Sequence, residues 1–435
     1  MSVAASTASA IKTEVTERRS LGWGVFFLVV AAAIIFFFGR NTEAEMMTKF
    51  NLNPGFKSDA IRLEPLIVPS QMTLWVLSAV VALIGGWQLA RGFKNVHLAL
   101  LVVALTFIFA FLTWAARGTS MSLFGMLSAS MTAAAPIALG GLSGVLCERV
   151  GVINIAIEGM MLSAAMTSVI VSSVFRSRGM EEPWYLVLGL LAAILTGAVL
   201  AAFHAWLSVR FKVDQIVSGA VIIIFSAGVT SFISQRFLQP IPELNSSDFF
   251  RRFPIPVVSK IPFIGPLLFE NNLIIYLVIL LVIVIHIGLF YTRWGLRSIA
   301  VGEHPRAADT LGVNVFKMRY LNVILGGMVA GIGGAYFTIG SVGRFDELIT
   351  NGKGFIGLAA MIFGRWTPIG TFFASLIFGF ADSLQVKLQG LGIDQVPIPS
   401  EFMLMAPYIV TMVVVAGVVG RSIPPAADGQ PYEKQ

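Results

Sequence analysis

The chain is 435 residues long, 56% hydrophobic and only 12% charged, with a mean hydropathy of +0.83. A soluble domain carries about 25% charged residues, so this composition excludes an ordinary soluble globular protein and reads as an integral membrane protein. The formal charge of +7 belongs with membrane topology, because no basic run is dense enough to form a nucleic-acid patch.

Residues 1–20 are small and polar and are expected to form a cytoplasmic tail. Leu21–Phe38 is apolar and is followed by Gly39-Arg40-Asn41, a poor cleavage site, so it reads as an uncleaved first span. A polar loop over 39–70 precedes spans at 71–90 and 97–114, which complete an N-terminal three-span region, 21–118. From 119 the character changes. Residues 122–147 are rich in Ala, Gly and Ser and run into the charged pair Glu148-Arg149. Further spans are expected at 151–175, 184–208 and 215–235. The loop Arg236–Asn271 holds six prolines and predicts an ordered cap or partial helix. Spans follow at 273–292 and 320–340.

Residues 354–386 do not fit one span. GFIGLAAMIFG is too short to cross a bilayer at 1.5 Å per residue, and Arg365-Trp366-Thr367-Pro368 interrupts it. A re-entrant half-helix with a returning segment satisfies this if the break is buried or faces water. A last span covers 402–420 and ends at Arg421; the second region closes at 425, leaving a tail at 426–435. The sum is an all-α, polytopic membrane helix bundle of about ten transmembrane spans plus one re-entrant half-helix. The strings Gly140-Gly141 and Gly326-Gly327 read either as an internal repeat or as helix-packing positions.

One segment between spans stands apart, Arg293–Arg319, RWGLRSIAVGEHPRAADTLGVNVFKMR. Glu303 or His304 can cap a short helix there, Pro305 suits its first turn, and Arg306, Ala307, Ala308, Asp309, Thr310 and Leu311 continue it. Gly312 stands where such a helix ends. A short amphipathic helix slung between spans is a handle that another protein can push, which points to transport driven by a separate motor. Lys and Arg divide evenly between the two sides, fifteen each, but eight of the outer fifteen lie in the two long loops, which bear little on orientation. The bias of the short loops puts the N-terminus and the handle in the cytoplasm.

One cysteine, Cys147, rules out a disulfide framework within the chain. His97, His204, His286 and His304 are scattered without metal spacing, and neither a phosphate loop nor a nucleophile elbow occurs. No cofactor, metal or bond chemistry is expected of this chain.

The segment Leu146–Leu162, LCERVGVINIAIEGMML, resembles the signature of bacterial ABC-importer permeases, in the branch that imports nucleosides within the ribose and branched-chain amino acid group. Asp214-Gln215-Ile216-Val217-Ser218-Gly219 agrees, although the branch tends to have Asn where Asp214 stands. So do the handle, with Ala307-Ala308 and Gly312-Val313-Asn314-Val315, and the stretch from Gly352-Lys353-Gly354-Phe355-Ile356 to Ile362-Phe363-Gly364-Arg365-Trp366, Pro368 and Gly370. The likeness covers about 120–425 and leaves three N-terminal spans outside it. It implies a permease core over 119–425 with a coupling helix near 303–312, carried by Glu303, Pro305, Arg306, Ala307, Ala308 and Gly312. It further implies a cytoplasmic ABC ATPase, a second permease subunit, an extracytoplasmic substrate-binding protein, and a small-molecule cargo, in a multi-pass chain of the bacterial inner membrane surrounded by lipid.

The candidate pathway residues are Asn154, Glu158, Gln215 and Ser218. A carboxylate inside an apolar run is costly, so Glu158 must face the bundle interior and have a partner; it either meets substrate or locks a backbone N–H or Arg149. Asn154 and Glu158, four apart, would share a helix face. Gln215 and Ser218, three apart, either line the pathway or bond a neighbouring helix, and Asp214 reads as a boundary charge or helix N-terminal residue. His286 reads as an interhelical hydrogen bond or a proton relay. Asp382 and Gln385 read as an interfacial polar end, and Phe355, Phe363 and Trp366 as ordinary packing or a base-stacking group. The reading is an ATP-driven importer subunit for nucleosides. The alternatives are a ribose, other simple-sugar or branched-chain amino acid permease, or an ion-coupled secondary transporter using Glu158 and His286 as proton carriers.

Overall fold

The computed structural model describes residues 21–390 and 422–434. The expected tail over 1–20 and the expected last span, 402–420, lie outside the described residues. Among those described, ten helices are long and apolar enough to cross a membrane, and the chain divides into two compact units at Gly125.

The first unit holds α1 (Leu21–Gly39), α2 (Ser70–Ala90) and α3 (Val96–Ala115). Their shared core is aromatic and aliphatic, with Phe27, Ile34, Leu74, Val81 and Val103 buried, and the Phe38 ring lies 5.0 Å from that of Trp114. A small sheet closes one end: β1 (Met47–Asn51) pairs antiparallel with β2 (Leu66–Pro69) and parallel with β3 (Ser120–Ser122). Thr48 fixes it, its hydroxyl donating to the Thr113 carbonyl at 3.0 Å and meeting the Ser70 hydroxyl at 2.8 Å.

The second unit contains α4 (Leu123–Glu148), α5 (Ile157–Ser177), α6 (Trp184–Arg210), α7 (Gln215–Leu238), α9 (Leu273–Tyr291), α12 (Val315–Phe337) and α14 (Pro368–Gly390). Its centre is α5, α6 and α12, and small residues bring their backbones together. Ala193, Gly197 and Ala201 on α6 face Gly327 and Gly331 on α12. A Cβ on Gly197 would sit 2.1 Å from the Gly327 carbonyl oxygen, and one on Gly331 would sit 2.3 Å from that of Ala193. Small residues spaced by four are the usual means of close approach in lipid, where greasy side chains gain nothing by leaving their surroundings. Gly141 packs on Gly357, and Gly326 on Cys147 and Ser143, so both glycine strings are packing positions.

Between α7 and α9 the proline-rich loop is an ordered cap, with β4 (Phe253–Pro254) paired to β5 (Glu270–Asn271) and a short α8 (Ile264–Phe269). Asp248 ties it down, accepting from the Tyr185 hydroxyl at 2.6 Å and pairing with Arg176 at 3.0 Å.

Two expectations need correction. The segment Arg293–Arg319 carries two helices, α10 (Arg293–Glu303) before α11 (Pro305–Thr310). Thr292 caps α10 by accepting from the Gly295 N–H at 3.3 Å, the role its residue type favours at a helix start. The half-helix is present as α13 (Lys353–Phe363), but the returning segment, α14, is itself a membrane-length helix. Arg365 lies at the Arg149 end of the bundle, its carbonyl accepting from the Arg149 guanidinium at 3.4 Å.

Candidate functional site

Helix α13 starts inside the second unit and is held there by Glu158. One carboxylate oxygen accepts from the Thr350 hydroxyl at 2.6 Å and the Gly352 N–H at 2.9 Å; the other accepts from the Gly354 N–H at 2.7 Å. These are N–H groups at the start of a helix, which have no intrahelical partner, and a carboxylate there also suits the helix dipole. A Cβ on Gly354 would fall 2.7 Å from the same carboxylate, so glycine is needed for the approach. Lys353 is ion-paired with Asp382 of α14. Asp382, expected as a polar end, thus ties α14 to the start of α13.

At its far end α13 stops at the break Gly364–Thr367, where Arg365 and Trp366 both adopt positive φ, +54° and +52°. Two residues at the end of α4 support this costly backbone. The Trp366 indole donates to the Glu148 carboxylate at 2.6 Å, and Arg149 Nε donates to the Trp366 carbonyl at 2.8 Å. Burial lowers the Arg149 pKa from its ordinary value, opposed by the Glu303 carboxylate. The aromatic trio does not converge: Trp366 is buried on Glu148, Phe363 stacks on Phe378 at 5.5 Å, and Phe355 is exposed.

Residues 149–156 are not helical, although apolar. Gly151 adopts φ +76° and the next helix begins only at Ile157. Asn154 thus precedes α5, and the shared helix face with Glu158 does not exist. The loop is held by hydrogen bonds from two helices. Ile153 N–H donates to Gln215 Oε1 at 2.6 Å, and its carbonyl meets His204 Nε2 at 3.0 Å. His204 Nδ1 in turn meets the Ser218 hydroxyl at 2.9 Å. Gln215 and Ser218 share one face of α7, as their spacing implied, and turn it to this loop. Asp214 caps that helix, accepting from Ile216 N–H at 2.9 Å and Val217 N–H at 3.0 Å. Asn154 is fully buried; its amide donates weakly to Cys147 and Met160 sulfurs, and its Oδ1 has no partner among the described residues.

His204, Thr350 and the Glu148–Trp366 pair were missed in sequence reasoning. A histidine in an apolar span carries no mark separating His204, which is central, from His286. The latter's Nδ1 has no partner among the described residues, so the expected interhelical bond is absent; its ring lies 5.1 Å from that of Phe290.

The handle projects beside this loop. α10 buries Gly295, Ser298, Val301 and Gly302, one helical stripe, and a Cβ on Gly302 would sit 2.3 Å from the Arg149 carbonyl. Asn322 of α12 donates to Ser298 at 3.1 Å. α11 is the tip. Gly312, φ +80°, ends it: its N–H donates to the Asp309 carbonyl at 2.9 Å and that of Val313 to the Ala308 carbonyl at 3.0 Å, the paired bonds of a left-handed helix stop. Arg306 and Ala307 are exposed and Leu311 is 85% exposed, whereas Ala308 is the tip's buried anchor.

The site thus combines a half-helix that ends in a break, a buried non-helical loop and an exposed helical tip within a membrane bundle. Residues 126–419 match the model of the family described as branched-chain amino acid transport system / permease component. The chain is 40% identical over 310 residues to the guanosine ABC transporter permease NupQ of Bacillus subtilis, covering 70% of this chain and 95% of that one. It is 39% identical over 302 residues to the nucleoside ABC transporter permease NupC of Lactococcus lactis, covering 69% and 93%. A putative glucose ABC transporter permease, TsgC13 of Haloferax volcanii, is 35% identical over 62% of this chain and 79% of its own. No solved structure matches the chain with significance. The chain belongs to this family of ABC-importer permeases. It is a multi-pass inner-membrane transport subunit, not an enzyme, and works with an ATPase subunit and a substrate-binding protein.

Proposed function

We propose that this permease imports nucleosides, with α11 as its coupling helix. The cargo follows from the names of its two relatives at 40% and 39% identity, each matched over more than nine-tenths of its length. The coupling role rests on one observation: α11 and the residue after it present Arg306, Ala307 and Leu311 outward while α10 packs on loop 149–156. Glu303, Pro305, Arg306, Ala307, Ala308 and Gly312 then form a lever whose tip seats on the cytoplasmic ATPase, and a second permease subunit completes the membrane part. Closure of the motor domains pushes the tip and biases the bundle between outward-open and inward-open states.

Asn154, Glu158, Gln215 and Ser218 serve the pathway by holding its broken elements, loop 149–156 and the start of α13. Transporter sites commonly lie beside such discontinuous segments. The secondary-transporter reading loses its support because Glu158 is committed to three donors and His286 Nδ1 has no hydrogen-bond partner among the described residues. Reconstitution of the whole complex in vesicles, with labelled guanosine, uridine, glucose and leucine offered in parallel, tests the cargo. Uptake of the nucleosides, dependent on ATP, is expected; uptake of glucose alone would replace the nucleoside by a sugar.

A further inference from the structure

Resting on the coupling role of α11, we infer that the C-terminal segment Ser422–Lys434 is a positioning strap that joins the handle to loop 149–156 so that they move as one body. The lever alone is weakly tied. Ala308 is the one buried residue of α11, and a six-residue helix does not hold its shape in water without packing.

The strap adds contacts to both parts. It crosses the end of α10, where the Ala427 N–H donates to the Gly302 carbonyl at 2.8 Å and the Ala426 N–H to Glu303 Oε2 at 3.2 Å. It then reaches the tip and the start of α12: Tyr432 is 5% exposed, its hydroxyl neighbours the Asp309 carboxylate, and its ring lies 5.4 Å from that of Phe316. Arg319, 1% exposed at the start of α12, donates to the Gln430 carbonyl at 2.9 Å.

The same segment presses on the pathway loop. A Cβ on Gly151 would lie 2.7 Å from the Ala427 carbonyl, and one on Gly429 would lie 2.9 Å from the Ile153 side chain. Ile153 is the residue that Gln215 and His204 hold. Asp428 faces Glu148, the carboxylate that supports Trp366 at the break of α13, and Ser422 donates to the Ile362 carbonyl at 3.0 Å, at the end of α13. One short segment thus touches the lever, the loop and the half-helix. A push on α11 reaches the interior through it instead of being spent on bending the tip.

The test uses the whole complex in vesicles, reading assembled yield, ATP hydrolysis and solute uptake per ATP. A chain stopped after Arg421 loses the strap and no span; Tyr432→Ala loses only the tip contact, and Tyr432→Phe keeps the ring without the hydroxyl. Both the stopped chain and Tyr432→Ala are expected to assemble and hydrolyse ATP while uptake per ATP falls about tenfold, in the range of ordinary coupling factors. Tyr432→Phe should fall in between, and a synthetic peptide of residues 422–435 should restore part of the stopped chain's coupling. Unchanged uptake per ATP in Tyr432→Ala would overturn the strap, as would losses that merely track assembled yield. Failure of the coupling-helix reading would look different: Arg306→Glu on α11, with the strap intact, would then leave uptake per ATP normal.

Discussion

The first unit and the helices α4, α5 and α12 of the second use their surfaces in opposite ways. In α1, α2 and α3 only 28% of the apolar window is buried, whereas in α4, α5 and α12 the share is 67%, 72% and 67%. The helices that bury most are also less hydrophobic than α1 and α3, with mean hydropathy of 1.4 to 1.5 against 2.6 and 2.5. In water the greasiest helix goes inside; in lipid the hydrocarbon solvates it, and the interior is left to glycine, small residues and the polar groups that need protein partners. Glu158, His204, Asn154 and Trp366 accordingly all lie in the second unit.

The strongest way to break this contrast is to add bulk. Gly327→Leu on α12 drives a side chain into Ala201 and the Gly197 carbonyl, 2.2 and 2.4 Å from its Cβ. It should cost about 3 kcal/mol or more and empty the folded fraction. Gly86→Leu, on a face of α2 with nothing within 4 Å, should stay within about 0.5 kcal/mol. Fluorescence-detected size exclusion after a heat series reads both; equal sensitivity would erase the distinction.

Glu158→Gln comes next. The amide keeps the shape but sets an NH2 against an N–H or O–H donor of Thr350, Gly352 or Gly354, costing about 2 kcal/mol. Folded yield and uptake should fall in parallel, as for a lock. Normal yield with lost uptake would return Glu158 to the substrate.

On the handle the effect should be kinetic. Arg306→Glu and Gly312→Val should leave expression intact and lower uptake per ATP about tenfold. The first reverses an exposed charge at the tip; the second strains the left-handed stop at φ +80° by about 1–2 kcal/mol. Normal ATP-driven uptake in both would remove the handle from the account.

The smallest effect concerns pH. Burial foremost raises the Asp428 pKa to about 6 from its ordinary 3.8. The docked segment therefore holds a proton that the free segment has released. Docking is fully supported below about pH 4 and weakens as pH rises through about 6. A fluorophore on Lys434→Cys should gain mobility over that window, and Asp428→Asn should flatten the response. A flat response with Asp428 present would contradict the assignment.

Hydropathy made the membrane helices legible, and Pro305 with Gly312 made the tip legible, because each signal is local to its own element. What could not be read is non-local. Nothing in GVINIAI marks residues 151–156 as non-helical until Gln215 and His204, more than fifty residues on, are seen gripping Ile153. Glu158 read more readily as a lock than as a ligand, but its partners could not be named because its donors lie almost two hundred residues away. The tail over 426–435 carried no apolar period at all, yet Tyr432 reaches the handle.

The most direct test of the central claim is solute uptake per ATP in vesicles holding the complete complex, measured with and without an imposed proton gradient. The account predicts that uptake of the proposed nucleoside cargo requires ATP, ignores the gradient, and collapses in Arg306→Glu while hydrolysis continues. Uptake that follows the gradient and proceeds without ATP would contradict it.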